Sequence, residues 1–160
     1  MSKVSGAKGQ WFNGRINNGL FYKVALLHAR FGRTVAAEAT RGGLTLLQFK
    51  VLSAIGSFGP IAASAISAST TIDQAAISRT VRQLLDLGLI TRELSERDGR
   101  VVQLGLSRSG IKTYDLIAKR LDEAQEQLLL HLDQQQRAAL FTLFDILIGA
   151  HDAIEEELDA

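Results

Sequence analysis

The sequence predicts a mainly α-helical protein that carries one small β-hairpin. Two observations predict it. Apolar residues recur every three or four positions through most of the chain, the spacing that lines one face of an α-helix. Only two short stretches, Leu89–Leu94 and Val101–Leu106, read as strands, and the polar, glycine-containing Ser95–Arg100 joins them as a hairpin. With 46% apolar and 22% charged residues over 160 positions, the chain has the profile of one soluble globular domain. A domain of this length buries roughly 70% of its unfolded surface without covalent staples.

Residues 1–18 hold Lys3, Lys8, Arg15 and three glycines but no apolar core of a secretory signal, so a flexible basic arm is expected there. From Leu20 to about Thr40, the residues Leu20, Val24, Leu27, Phe31 and Val35 mark a first helix, capped by Asn17 or Asn18 and ended by Gly42-Gly43. Thr45 caps a second, with Leu46, Phe49, Leu52 and Ile55 on one face and Gly56, Gly59 and Pro60 as its stop. A short third helix is expected from Ile61 to about Ser69. Asp73 caps a fourth, in which Ala76, Ile77, Val81, Leu84 and Leu85 face inward and Gln74, Ser78, Arg79, Arg82 and Gln83 face outward. Gly88 ends it as a C′ glycine, and the hairpin follows at once. Helix, turn, helix and hairpin in this order make a winged helix-turn-helix, whose second helix enters the major groove of DNA.

Two helices complete the chain. Ser107 or Ser109 caps the fifth, where Tyr114, Ile117, Leu121, Ala124, Leu128 and Leu132 keep step. The sixth starts near Asp133 and carries Leu140, Phe144, Leu147, His151, Ile154 and Leu158, with Leu143, Ile146 and Ile148 on its other sides. A helix apolar nearly all round needs more than one wall. At a chain end, another copy of the same chain is the simplest second wall, which predicts a homodimer.

Charge is distributed more tellingly than its sum of +1 implies. Residues 1–60 carry a net +7, residues 61–110 a net +1 and residues 111–160 a net −7. Such a gradient lets a near-neutral protein offer a basic face to a polyanion. The absence of cysteine excludes disulfides, thiolate-ligated zinc and thiol redox switches. Without a stretch of about 18 strongly apolar residues, no membrane span is expected and a cytoplasmic location is.

Three blocks resemble the MarR family of bacterial winged-helix transcriptional regulators over about residues 20–155. They are Asp73-Gln-Ala-Ala-Ile-Ser-Arg-Thr-Val-Arg-Gln-Leu84, Leu87-Gly-Leu-Ile-Thr-Arg92, and Glu96-Arg-Asp-Gly-Arg100 leading into Leu104-Gly-Leu-Ser-Arg-Ser-Gly110. Two departures stand out: Gly99 replaces a frequent wing cation, with Arg97 close by, and Ile66-Ser67 replaces the usual Leu-Ala pair of the third helix. The resemblance implies one MarR-like domain over 19–160, with the winged helix-turn-helix at about 44–108 and dimerisation helices at about 19–40 and 108–157. It implies a homodimer on double-stranded DNA, a pseudo-palindromic operator, and release by a small ligand such as an aromatic acid, a phenol or an acyl-CoA.

The residue chemistry agrees. Gln74 can pair with adenine, Ser78 with base edges or phosphate, and Arg79 with guanine or phosphate. Arg82 lies a turn further on, at the DNA backbone, and Thr45 can donate to a phosphate as well as cap its helix. On the wing, Arg97 and Arg100 can neutralise phosphates or enter the minor groove, and Asp98 can orient Arg100 through a charge-assisted hydrogen bond. Arg92, on a strand near the core, is expected in a structural salt bridge instead.

Phe21, Tyr22, His28, Phe31 and Phe49 supply aromatic walls and polar handles for an effector pocket, with Arg30 and Arg33 as cations for a carboxylate. Ordinary core packing is the competing explanation for the phenylalanines. His28, His131 and His151 lack metal-ligand spacing, and no P-loop, nucleophile elbow or dinucleotide fingerprint is present, so neither cofactor, metal nor catalysis is expected. The alternative to a DNA-binding regulator is a dimeric winged-helix scaffold for protein interaction that has lost DNA readout.

Overall fold

The computed structural model describes residues 19–68, 72–94 and 101–158. The elements run α1 (Leu20–Arg41), α2 (Leu46–Phe58), α3 (Ala63–Ala68), α4 (Gln74–Asp86), β1 (Ile90–Leu94), β2 (Val102–Leu106), α5 (Arg108–Leu129) and α6 (Gln134–Leu158). The chain divides into two compact units, Met1–Lys119 and Arg120–Ala160, and α5 runs through the division.

The core of the first unit lies where α2, α3, α4 and the hairpin meet. Thr45 and Gln48 form a reciprocal capping box that starts α2: Thr45 Oγ1 accepts the Gln48 backbone N–H at 3.2 Å, and Gln48 Oε1 accepts that of Thr45 at 2.8 Å. The helix then buries Phe49, Val51, Leu52 and Ile55. From α4 come Ile77, Val81 and Leu84, with Ile66 from α3 and Leu104 from β2, all at most 2% exposed. Burying each such aliphatic side chain stabilises the fold by about 1.5–3 kcal/mol relative to leaving it in water. The two strands pair antiparallel, with Ile90 opposite Leu106 and Leu94 opposite Val102.

Several boundaries differ from expectation for identifiable reasons. Gly19, not a side-chain cap, precedes α1, while Asn17 and Asn18 lie outside the described residues with the rest of the basic arm. The third helix does not begin at Ile61. That residue is extended and joins the sheet, its N–H donating to Leu104 O at 3.0 Å and its carbonyl accepting from Leu104 N at 2.9 Å. A β-branched residue directly after Pro60 suits such an edge position. Nor does Gly56 stop α2, which continues to Phe58 and ends at Gly59. A side chain at 56 would meet Leu106 at 3.3 Å and the Tyr114 ring at 3.5 Å, so this glycine permits a close approach inside the helix.

Only Glu38 and Ala39 of α1 are buried, Glu38 pairing with Arg41 at 2.6 Å, and its apolar positions Leu20, Val24, Leu27 and Phe31 are exposed in the single chain. In the second unit Leu129, rather than Leu128, is the buried residue near the end of α5, and Leu132 falls beyond the helix. A second capping box starts α6, Asp133 Oδ1 accepting from Gln136 N at 2.8 Å and Gln136 Oε1 from Asp133 N at 3.0 Å. Along α6, Phe141, Leu143, Ile146, Leu147 and Ile148 are exposed.

Candidate nucleic-acid interface

Helix α4 is built to keep one face dry and the other wet. Asp73 caps it, its Oδ1 accepting the N–H groups of Ala75 at 2.9 Å and Ala76 at 3.0 Å, a carboxylate placed where the helix dipole favours one. Ile77, Thr80, Val81 and Leu84 form the buried side, and Thr80 satisfies its hydroxyl by donating to Ala76 O at 2.8 Å. The burial of Thr80 was not signalled by apolar periodicity. Its back-bond to the preceding turn is what makes a hydroxyl tolerable there.

The end of α4 is fixed with equal precision. Gly88, at φ +67°, supplies the left-handed residue of a Schellman turn, in which Gly88 N donates to Leu85 O and Leu89 N to Leu84 O, both at 2.9 Å. Its carbonyl then takes two hydroxyls, from Ser107 at 2.6 Å and Ser109 at 2.7 Å. Ser107 is also the cap of α5, accepting from Gly110 N at 3.0 Å while its own N–H donates to Leu89 O at 3.0 Å. A Cβ at Gly110 would lie on the Leu89 carbonyl, so only glycine allows this approach. Helix α4, the hairpin and the start of α5 are thereby held in one frame.

From that frame Gln74, Ser78, Arg79, Arg82 and Gln83 all project into solvent on the outer face of α4. Among the described residues, neither Arg79 nor Arg82 is in an ion pair. Arg92 is exposed as well and makes no salt bridge among them, contrary to expectation, although its cross-strand partner Leu104 is buried. Thr45 is exposed, and Gln48 Nε2 donates to Gln83 Oε1 at 3.2 Å, so the start of α2 adjoins the outer face of α4. The sequence signals Gln48 only as a capping-box residue, and nothing in it signals the reach across to Gln83. Arg97, Asp98 and Arg100 lie outside the described residues.

The residues expected to line an effector pocket are dispersed in the single chain. Phe21 is 85% exposed and Phe31 43%, Tyr22, His28, Arg30 and Arg33 are exposed along the same helix, and Phe49 is buried at 5%. Phe49 borders an open groove of 490 Å³ with Val35, Lys50, Ser53, Ser57 and Phe58. Among the described residues no cluster of His, Asp or Glu is arranged to hold a metal ion, and no helix is long and apolar enough to cross a membrane.

Comparison with known proteins places this architecture. A MarR-family sequence model matches residues 42–101, from the end of α1 to the hairpin. The chain is 25% identical over 126 residues to the HTH-type transcriptional regulator BilQ of Clostridium symbiosum (strain WAL-14163), covering 79% of this chain and 88% of that protein. In fold it is similar to the apo form of wild-type MarR from E. coli, with a TM-score of 0.70 at 20% identity over 81% of this chain and 96% of that one. It is similar also to the S. aureus MepR–DNA complex, with a TM-score of 0.69 at 16% identity over 82% and 96% of the two chains. Residues 42–101 thus match the MarR family model, and the described residues carry the winged-helix fold of the MarR and MepR structures.

Proposed function

We propose that the chain acts in the cytoplasm as a homodimeric repressor that binds a pseudo-palindromic operator and is released by a small aromatic-acid, phenolic or acyl-CoA ligand. The observation that carries the DNA reading is the outer face of α4, where Gln74, Ser78, Arg79 and Arg82 stand exposed with no carboxylate paired to either cation among the described residues. An electrically unspent face on a rigidly capped helix suits a polyanion better than the surface of a protein scaffold. Two such helices related by a twofold axis enter successive major grooves about one helical turn apart. Dimerisation is supported by the exposed apolar positions of α1 and, separately, of α6, which a second copy would cover. The effector reading rests on Phe21, Tyr22, His28, Phe31, Arg33 and Phe49 as walls and handles, and the ligand acts only through its different affinity for the bound and released dimers.

Selection of bound fragments from genomic DNA, with and without candidate aromatic acids and acyl-CoA thioesters, tests both halves. The selected duplex should bind on the order of a thousandfold or more tighter than its scrambled sequence, and binding should weaken steeply with salt. Arg100→Ala should weaken both duplexes alike, whereas changes at Gln74 or Ser78 should alter sequence preference. Equal binding of selected and scrambled DNA would refute the regulator reading.

A further inference from the structure

The carboxamide of Gln48 is oriented by a group that can only donate. Its Oε1 accepts the backbone N–H of Thr45 at 2.8 Å, which turns its Nε2 toward α4, where it donates to Gln83 Oε1 at 3.2 Å. A backbone N–H leaves no choice of flip for Gln48, and Gln48 in turn leaves none for Gln83. Gln83 thus has its oxygen engaged toward α2 and its two amide N–H donors available on the exposed face that also carries Arg79 and Arg82. A glutamine reads adenine by offering an acceptor and a donor side by side, and with one of the two lone pairs of its oxygen taken and its carbonyl turned toward α2, Gln83 offers chiefly donors outward. Phosphate oxygens are pure acceptors and suit it. At the other end of the same chain of bonds, Thr45 Oγ1 accepts from Gln48 N and keeps its own proton to give.

We propose that Gln83 is a contact to the DNA backbone that is blind to sequence, and that Gln48 is the positioning residue that makes it so. The inference rests on the DNA-binding reading above. It assigns α2 a part in DNA recognition through one hydrogen bond to the recognition helix.

The test measures binding by fluorescence anisotropy to two duplexes of equal length, one selected by the full chain from genomic fragments and one its scrambled sequence. Gln83→Ala should weaken both by a similar factor, about three- to tenfold. Gln83→Lys, which keeps a donor and adds a cation, should restore the affinity and steepen the salt dependence by about one phosphate. Gln48→Glu keeps the capping box, since a carboxylate also accepts from Thr45 N. It obliges Gln83 to donate inward and turn its oxygen to the DNA, so binding should fall at least as far as with Gln83→Ala. That loss should shrink at least about threefold when Gln83 is already alanine, because the effect acts through Gln83. Thermal unfolding of each variant confirms that the fold is kept. The proposal is overturned if Gln83→Ala binds both duplexes as the parent does while Arg79→Ala does not, if it weakens one duplex only, or if Gln48→Glu costs the same in both backgrounds. A parent chain that binds neither duplex, or an Arg79→Ala variant that binds both as the parent does, marks failure of the DNA reading itself.

Discussion

Replacing Gly110 by alanine tests whether the turn after α4 and the first turn of α5 form a single packed joint. The new Cβ would fall on the Leu89 carbonyl oxygen and within 2.9 Å of its carbon, backbone atoms with no rotamer to give way. Relief requires α5 to lift from the turn. Lifting breaks the bonds from Ser107 Oγ and Ser109 Oγ to Gly88 O, at 2.6 and 2.7 Å, and from Ser107 N to Leu89 O at 3.0 Å. At about 1 kcal/mol each these amount to about 3 kcal/mol. Alanine recovers up to about 1 kcal/mol of helix propensity over glycine. Disturbed packing of the buried Leu89 and Leu104 adds to the loss, and overpacking of this kind costs about 1–3 kcal/mol. The expected net is a destabilisation of about 3–5 kcal/mol. Urea unfolding followed by far-ultraviolet circular dichroism measures it, at one fixed protein concentration because a dimer's midpoint moves with concentration. Gly105→Ala serves as the control, since its Cβ would meet only Thr91 Oγ1 at an ordinary 3.4 Å. A Gly110→Ala variant within about 0.5 kcal/mol of the parent, the range of an indifferent surface change, would refute the joint.

Asp73→Ala should cost about 1–2 kcal/mol in the same assay by freeing the N–H groups of Ala75 and Ala76, while Asp73→Asn, still an acceptor at the cap, should lose less than half of that. Ile77→Ala, at a fully buried position of α4, should cost about 2–5 kcal/mol. Ile146→Glu places a charge on a residue 59% exposed in the single chain; sedimentation velocity should show single chains in place of dimers, with helix content kept by circular dichroism. An unchanged sedimentation coefficient would remove α6 from the proposed dimer interface.

What the sequence revealed and what it concealed divide along the distance between interacting groups. The inner and outer faces of α4, its Asp73 cap and its Gly88 turn were all readable, because each is decided within four or five residues along the chain. The hairpin strands were readable for the same reason. Hidden were the features made by residues distant in sequence. Ile61 looks helical beside the apolar residues that follow it, and only Leu104, on another element, draws it into the sheet. Gly56 looks like a stop until Leu106 and Tyr114 are brought against it. The candidate DNA face of α4 was legible as a polar stripe, whereas the bond from Gln48 to Gln83 spans 35 positions and leaves no periodic trace. The exposure of Phe21 and Phe31 was equally illegible, since helical spacing shows that residues share a side and not what covers that side.

The double serine grip on the Gly88 carbonyl has a mechanical consequence. Two short side chains and a backbone bond tie the turn that ends α4 to the root of α5. A displacement of that root would have to carry the end of α4 with it or break these bonds. The joint turns on a single carbonyl oxygen, that of Gly88, on which both hydroxyls converge.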